Sequence, residues 1–266
     1  MAVYADLYRY RELFTNLFRR DFQAKYKGSA LGVVWSLLNP LVLLLVYLVV
    51  FGLLLKAKGS IRHYPLYLLA GLACWIFFAT SLQAAARSLV DSADLIKKVR
   101  FPRQLVALST VATQAVTFAV MLAILVVLSL AFIPEARTTV WLALPLAALF
   151  VCLVAGTSLL VACLNVLFRD VEHVVAAALL PWFFLTPILW RFAQLPAGAQ
   201  RHHALLDVLR WGNPLAPSIY AVRDALWSGH VPRAADVIYL AVAAVVALGL
   251  GAFVFRSVDD RIAVEL

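Results

Sequence analysis

Charge is scarce in this sequence. Of its 266 residues only 14% are Asp, Glu, Lys or Arg, where an ordinary soluble domain carries about 25%. The apolar share is 64% and the mean hydropathy is +0.92. A water-facing fold would find too little polar surface to cover such a chain, so a soluble domain, a disordered chain and a charged coiled coil are all excluded. Cysteine is scarce too. Cys74, Cys152 and Cys163 lie inside apolar runs without metal-ligand spacing, which removes a disulfide scaffold and leaves three small hydrophobes. No glycine precedes a lysine, so the phosphate-cradling loop G-x-x-x-x-G-K-[ST] is missing and any ATP drive by that route must come from another polypeptide. The first fourteen residues have neither a continuous apolar stretch nor a small-residue cleavage site, unlike a secretory leader.

What is present is a set of apolar runs. A hydrocarbon core of about 30 Å takes roughly 20 helical residues. Runs of that order occupy 31–55, 66–86, 104–133, 140–168, 174–190 and 236–255. They predict an all-α integral membrane protein, six transmembrane helices in one domain over 1–266, with no internal repeat. The fifth run contains Pro181 and Pro187 and is expected to kink or break. No run holds an Asp, Glu, Lys, Arg or His between its ends, which argues against proton-driven transport, because carriers of that kind keep charged relays in the hydrocarbon. The formal charge of +9 then reflects topology rather than nucleic acid. Arg9, Arg11, Arg19, Arg20, Lys25 and Lys27, with Arg87, Lys97, Lys98, Arg100, Arg103, Arg169, Arg256 and Arg261, fall on one side of a six-span chain. Short loops on the other side are poor in Lys and Arg, which predicts cytoplasmic termini.

Three segments between the runs have the character to do work. Residues 4–28 are amphipathic, with Leu7, Tyr10, Phe14, Leu17, Phe18 and Phe22 at three- and four-residue spacing; they read as a helix in the headgroup plane, either a plain anchor or a collar gripping a cytoplasmic partner. The loop 87–104 reads RSLVDSADLIKKVRFPRQ. Asp91 or Ser92 can cap a short helix over 93–98 whose basic end suits the helix dipole, and Phe101-Pro102 stops it. This is either a positive-inside loop or a helix that docks into a motor protein. Segment 191–235 carries two apolar stretches split by Gly212-Asn213-Pro214. It reads as a re-entrant hairpin forming an outer gate, with Trp211, Asn213, Pro214, Pro217 and Tyr220 as gate candidates, or as an interfacial amphipathic pair. Arg169, Asp170 and Glu172 are expected to make a local ion pair beside His173. Tyr47, Phe51, Trp182, Phe183 and Phe184 lie deep in the runs, where aromatic faces can pass sugar rings without fixing them, although lipid-facing packing is the default for each.

Residues 26–41, YKGSALGVVWSLLNPL, resemble the opening signature of the type-two ABC exporter permeases, in particular the branch exporting O-antigen, capsule and teichoic-acid polysaccharides. LIKKVRFPRQL (95–105), NVLFRDVEHVVAAALLPWFFLTPILW (165–190) and WGNPLAPSIYAVRDALWSG (211–229) are similar to the same family, in the expected order. The resemblance implies a homodimeric channel in the bacterial cytoplasmic membrane. It would engage two copies of a separate ABC ATPase that binds ATP and Mg, this chain holding no cofactor, metal or catalytic residue. It also implies an interface helix over 7–27, including Arg19, Arg20, Lys25 and Lys27. A coupling helix would lie over 91–103, including Asp91, Asp94, Leu95, Ile96, Lys97, Lys98, Arg100 and Arg103. Re-entrant gate helices would lie within 205–229. The cargo so implied is an undecaprenyl-diphosphate-linked glycan, with the basic inner flank attracting its diphosphate and anionic membrane lipids. An ABC exporter of drugs or lipids and a polyprenyl-linked membrane transferase are the competing functions. Aspartate at Leu95 or Ile96 is expected to uncouple export while leaving insertion intact.

Overall fold

The computed structural model describes residues 9–27, 34–50, 61–99, 101–192, 195, 198 and 201–265. Among them the chain is helical, with no strand. In order the helices are α1 Arg11–Tyr26, α2 Val34–Tyr47, α3 Tyr64–Asp91, α4 Ala93–Lys98 and α5 Gln104–Phe132. Two 3-10 turns, Pro134–Thr138 and Val140–Leu142, lead into α6 Ala143–Leu167. After α7 Val171–Leu185 come α8 His203–Trp211 and α9 Leu215–Arg223, a π-helical turn Asp224–Ser228, and α10 Ala234–Glu265.

Among the described residues four helical segments are long and apolar enough to cross a membrane: Tyr64–Asp91, Gln104–Phe132, Val140–Leu167 and Ala234–Val258. They match four of the six apolar runs. The fifth run forms α7, whose 15 residues reach only about 22 Å at 1.5 Å per residue. The helix runs through Pro181 and ends at Leu185, two residues before Pro187; Thr186 has ψ 136, the extended conformation that a following proline favours. Of the first run, the apolar helix Leu41–Val50 is described, and Phe51 lies outside the described residues, as does Arg100.

Burial and hydropathy run in opposite senses across the four long helices. α3 is the least hydropathic and the most buried; it packs closely through Ala70, Gly71, Ala73, Ala85 and Ala86, and leaves a stripe with Gln83 and Arg87 exposed. α5 and α10 are more apolar and less buried. Their Val127, Phe132, Val245 and Phe253 are exposed, as expected of side chains facing acyl chains. α6 and α10 approach most closely. A methyl group on Gly156 would lie 2.3 Å from the carbonyl carbon of Ala247, and one on Gly251 would lie 2.7 Å from the carbonyl oxygen of Gly156. Small residues at such a contact let two backbones meet where lipid gives no hydrophobic drive for association.

The core has two parts. A large aromatic-rich cluster around Tyr67, Phe77, Phe118, Phe150 and Leu226 fills the middle and one end. A smaller cluster at the other end joins Leu17 of α1, Leu89 of α3, Ile96 of α4, Leu105 of α5, Cys163 of α6 and Phe255 of α10. This second end, which also carries Arg20, Lys25, Lys97 and Lys98, is called the basic end below. The opposite end holds the 3-10 turns and α8 and α9.

Candidate functional site

At the basic end α1 is strapped to the spans. Its Leu17 is buried, and three polar ties fix its register. Arg20 Nη2 donates to Ser92 Oγ at 3.3 Å, Ser109 Oγ donates to Asp21 Oδ2 at 2.7 Å, and Lys25 Nζ donates to Gln114 Oε1 at 2.7 Å. Arg20 also pairs with Asp21 at 2.8 Å. These two cations are therefore committed to protein partners, whereas Arg19 lines a shallow recess with Arg11 and Glu12, and Lys27 is exposed.

α4 has the bounds read from the sequence, 93–98. Ser92 occupies its N-cap position without a side-chain cap, since that hydroxyl accepts from Arg20 instead. Of the two caps expected, Asp91 or Ser92, it is Ser92 that stands at the N-cap, and its side chain makes no cap. Ile96 points inward and is buried among Leu89, Leu105 and Phe255. Asp91, Asp94, Lys97, Lys98 and Val99 are exposed, and Leu95 and Arg103 are half-buried. One face of α4 thus belongs to the core and the other is free. The expected local pair at 169–172 is also corrected: Glu172 accepts a hydrogen bond from Arg87 at the end of α3. The turn is closed by Asn165, which donates from Nδ2 to Ala86 O and accepts the Glu172 amide at Oδ1, both at 2.8 Å. Two amide contacts satisfy this buried side chain and lash the start of α7 to α3.

At the opposite end Gly212-Asn213-Pro214 divides α8 from α9. Trp211 is exposed, Asn213 and Pro217 are buried, and Pro214 and Tyr220 are half-buried. Asn213 Oδ1 accepts from Trp182 Nε1 at 3.0 Å and its Nδ2 donates to Thr186 Oγ1 at 2.9 Å, so the breaker is hooked onto the broken end of α7. Trp182 in turn sets its ring edge-on to Phe78 at 5.1 Å, and Phe183 stacks on Tyr47 at 5.7 Å. These rings join α2, α3 and α7, and Phe184 is exposed.

The centre of this end is Arg223, which the sequence analysis did not single out. It is 1% exposed. Nε donates to Tyr67 O at 3.1 Å, Nη1 to Tyr67 Oη at 2.8 Å and to Pro187 O at 2.5 Å, and Nη2 to Ile188 O at 2.6 Å. Its guanidinium carbon lies 3.6 Å from the centroid of the Tyr67 ring, a distance at which the ring quadrupole attracts the cation strongly. The break before Pro187 leaves carbonyls inside the protein without helical donors, and a flat guanidinium with five donors satisfies several at once. Gly71 makes the room, because a methyl group there would sit 2.2 Å from Nη2. In the sequence Arg223 stands beside Asp224 at the end of α9, with no local mark of its burial. Nearby, Arg210 Nη2 donates to Asp236 at 3.2 Å, and Asp236 is buried at the head of α10. Burial, with the negative charge of Asp236 added, pushes the Asp224 carboxyl above its ordinary range.

The comparisons with known proteins agree with this architecture. The ABC-2 type transporter family matches residues 12–227. The chain is 31% identical over 258 residues to the O-antigen export system permease protein RfbA of Myxococcus xanthus, covering 97% of this chain and 96% of that one. It is 30% identical over 220 residues to the O-antigen export system permease protein RfbA of Klebsiella pneumoniae, covering 82% and 81%. It is also 22% identical over 246 residues to the polysialic acid transport protein KpsM of Escherichia coli, covering 92% of each. With four membrane-length helices and this end-to-end likeness, the chain belongs to the ABC-2 type transporter membrane family.

Proposed function

We propose that the chain is the membrane-spanning subunit of an ATP-driven exporter of lipid-linked polysaccharide. It works as a homodimer in the bacterial cytoplasmic membrane with two copies of a separate ATPase. The observation that carries this reading is α3. It is one unbroken helix of 28 residues that meets α4 at Ser92 and holds Arg223 through Tyr67 at its other end. A push on the free face of α4 travels through Ile96 and Leu89 into a helix whose far end carries the α8–α9 hairpin. That is the mechanical link an exporter needs between a motor on one side and a gate on the other.

In this reading the basic end is cytoplasmic and α2 and α7 complete six membrane passes, α7 with the irregular segment that follows it. The α8–α9 hairpin re-enters from the outer face, which is tolerated because its irregular backbone is enclosed by protein. Asp94, Lys97, Lys98 and Val99 meet the ATPase, and α1 forms the collar beside them. The cargo is a glycan on a lipid diphosphate; relatives named for O-antigen export and polysialic acid transport support its polysaccharide part. Arg20 and Lys25 act as straps to the spans, which leaves Arg19 and Lys27 to meet anionic headgroups.

Purification in mild detergent tests the reading. A nucleotide-binding subunit should come down at one-to-one stoichiometry, with its ATPase stimulated by lipid-linked glycan and indifferent to hydrophobic drugs. Stimulation by drugs or simple lipids alone would replace the cargo, and a chain that hydrolyses nucleotide by itself would end the reading. A transferase function needs the group Asp170, Glu172 and His173, but Glu172 is held by Arg87; alanine at all three should leave export running.

A further inference from the structure

At the end that carries the hairpin, a cavity of about 510 Å³ opens between the start of α3, the first 3-10 turn and the π-helical turn. A narrower recess of about 100 Å³ runs on from it and shares Arg191, Asp224 and Arg233 with it. Together they hold four arginines, Arg62, Arg191, Arg210 and Arg233, against three carboxylates, Glu135, Asp224 and Asp236. Two of the pairs are already made, Arg62 with Glu135 and Arg210 with Asp236, each at 3.2 Å. Arg191 and Arg233 are left to a single carboxylate, Asp224. The guanidinium carbon of Arg191 lies 5.0 Å from the centroid of the Trp227 ring, a cation–π contact that uses none of its N–H donors. Arg210 Nε, at the head of the narrow recess, is buried without a hydrogen-bond partner among the described residues. A buried donor left unpaired costs free energy that a ligand acceptor recovers.

We infer that this cleft binds a phosphate oxyanion, held by Arg191 and Arg233 across the shared floor of the two cavities with Arg210 Nε at its inner edge. Planar guanidinium groups that converge from different segments favour a tetrahedral oxyanion over a neutral sugar. The phosphate has two possible sources, the diphosphate of the exported carrier, which rests on the export reading above, or the headgroup of an outer-leaflet phospholipid. The site itself rests on neither. The raised Asp224 carboxyl works in the same direction, since a group reluctant to ionise repels an anion less.

The test is calorimetric titration of the full-length chain in maltoside micelles with inorganic pyrophosphate. Wild type should bind one equivalent per protomer. Arg191→Gln with Arg233→Gln should weaken binding by about tenfold or more, Asp224→Asn should tighten it, and Arg137→Gln, exposed at the same end but outside the cleft, should leave it unchanged. Should the double variant fail to fold, single Arg233→Gln and Asp224→Asn give opposite shifts that keep the test decisive. Phosphatidylglycerol added to the micelles separates the sources. Displacement of pyrophosphate at near-stoichiometric lipid supports the site with a headgroup as occupant, and no displacement supports it with the carrier diphosphate. Absence of binding in wild type, or equal binding in all variants, overturns the inference. Because neither the ATPase nor export enters the measurement, this result is independent of whether the chain moves polysaccharide.

Discussion

A single arginine decides the geometry of the hairpin end. Arg223 supplies the donors for three backbone carbonyls and one phenol, so removing it leaves several buried acceptors without partners. Arg223→Ala is expected to cost about 2–4 kcal/mol, read as a lower unfolding midpoint in detergent. Arg223→Lys should rescue little, since one ammonium cannot span the carbonyls of Tyr67 and Ile188 together. Gly71→Ala should resemble Arg223→Ala, because the added methyl takes the place of Nη2. The two changes should be far from additive in a double-mutant cycle. Asp224 gives a pH signature of defined sign. Burial holds its folded-state value above the ordinary one, so its contribution to stability is complete below the ordinary aspartate range and is lost as pH rises through the raised value. Wild type should therefore lose stability with rising pH across that window relative to Asp224→Asn, and unfolding midpoints measured over the same buffers check it. None of this could be read from local sequence. Arg223 sits in WGNPLAPSIYAVRDALWSG like any arginine at a helix end, and what marks it is a partner 156 positions away.

At the scale of the element, α4 carries the clearest division of labour. Sequence pattern put a short helix over 93–98, and its dipole and basic end were legible there. Which side chain faces the core was not, because six residues are too few for a periodicity to fix a face. The structure buries Ile96 and leaves Lys97 and Lys98 out. Aspartate at Ile96 therefore acts by destabilising the whole basic-end cluster, about 2–4 kcal/mol for an unpaired carboxylate in that core, and is expected to lower the yield of folded chain. The sharper probe is Lys97→Glu with Lys98→Glu, which should leave the unfolding midpoint unchanged and abolish stimulation of the partner ATPase. A variant with normal stimulation would remove α4 from the transmission path. The α6–α10 pair makes a second element-scale prediction. Gly156→Val would drive a branched side chain into the backbone of Ala247 and Leu248 and should cost about 3 kcal/mol, with spectroscopic distances between the two helices increased. Hydropathy located both helices; their contact depends on which face each turns to the other.

For the whole molecule, the arrangement is a central helix, α3, with the half-exposed α4 at one end and a clamped hairpin at the other, packed against more apolar helices. The sequence by itself determined the membrane class, the apolar runs of which four are membrane-length helices, an interruption in the proline-bearing fifth run, the two apolar stretches split by Gly212-Asn213-Pro214 and the family. Each of these follows from properties that add up along the chain: hydropathy per residue, proline's missing donor, the positions of lysine and arginine, the order of motifs. Only the tertiary structure decided that α3 is the core although it is the least hydropathic span, that α7 is too short to cross as a single regular helix, that Arg20 and Lys25 are straps, and that Glu172 serves Arg87. It alone brought Arg223 onto Tyr67 and the carbonyls of Pro187 and Ile188. In hydrocarbon a backbone carbonyl freed by a broken helix must find its donor inside the protein, and which donor it finds is a property of distances in space that no window along the chain contains.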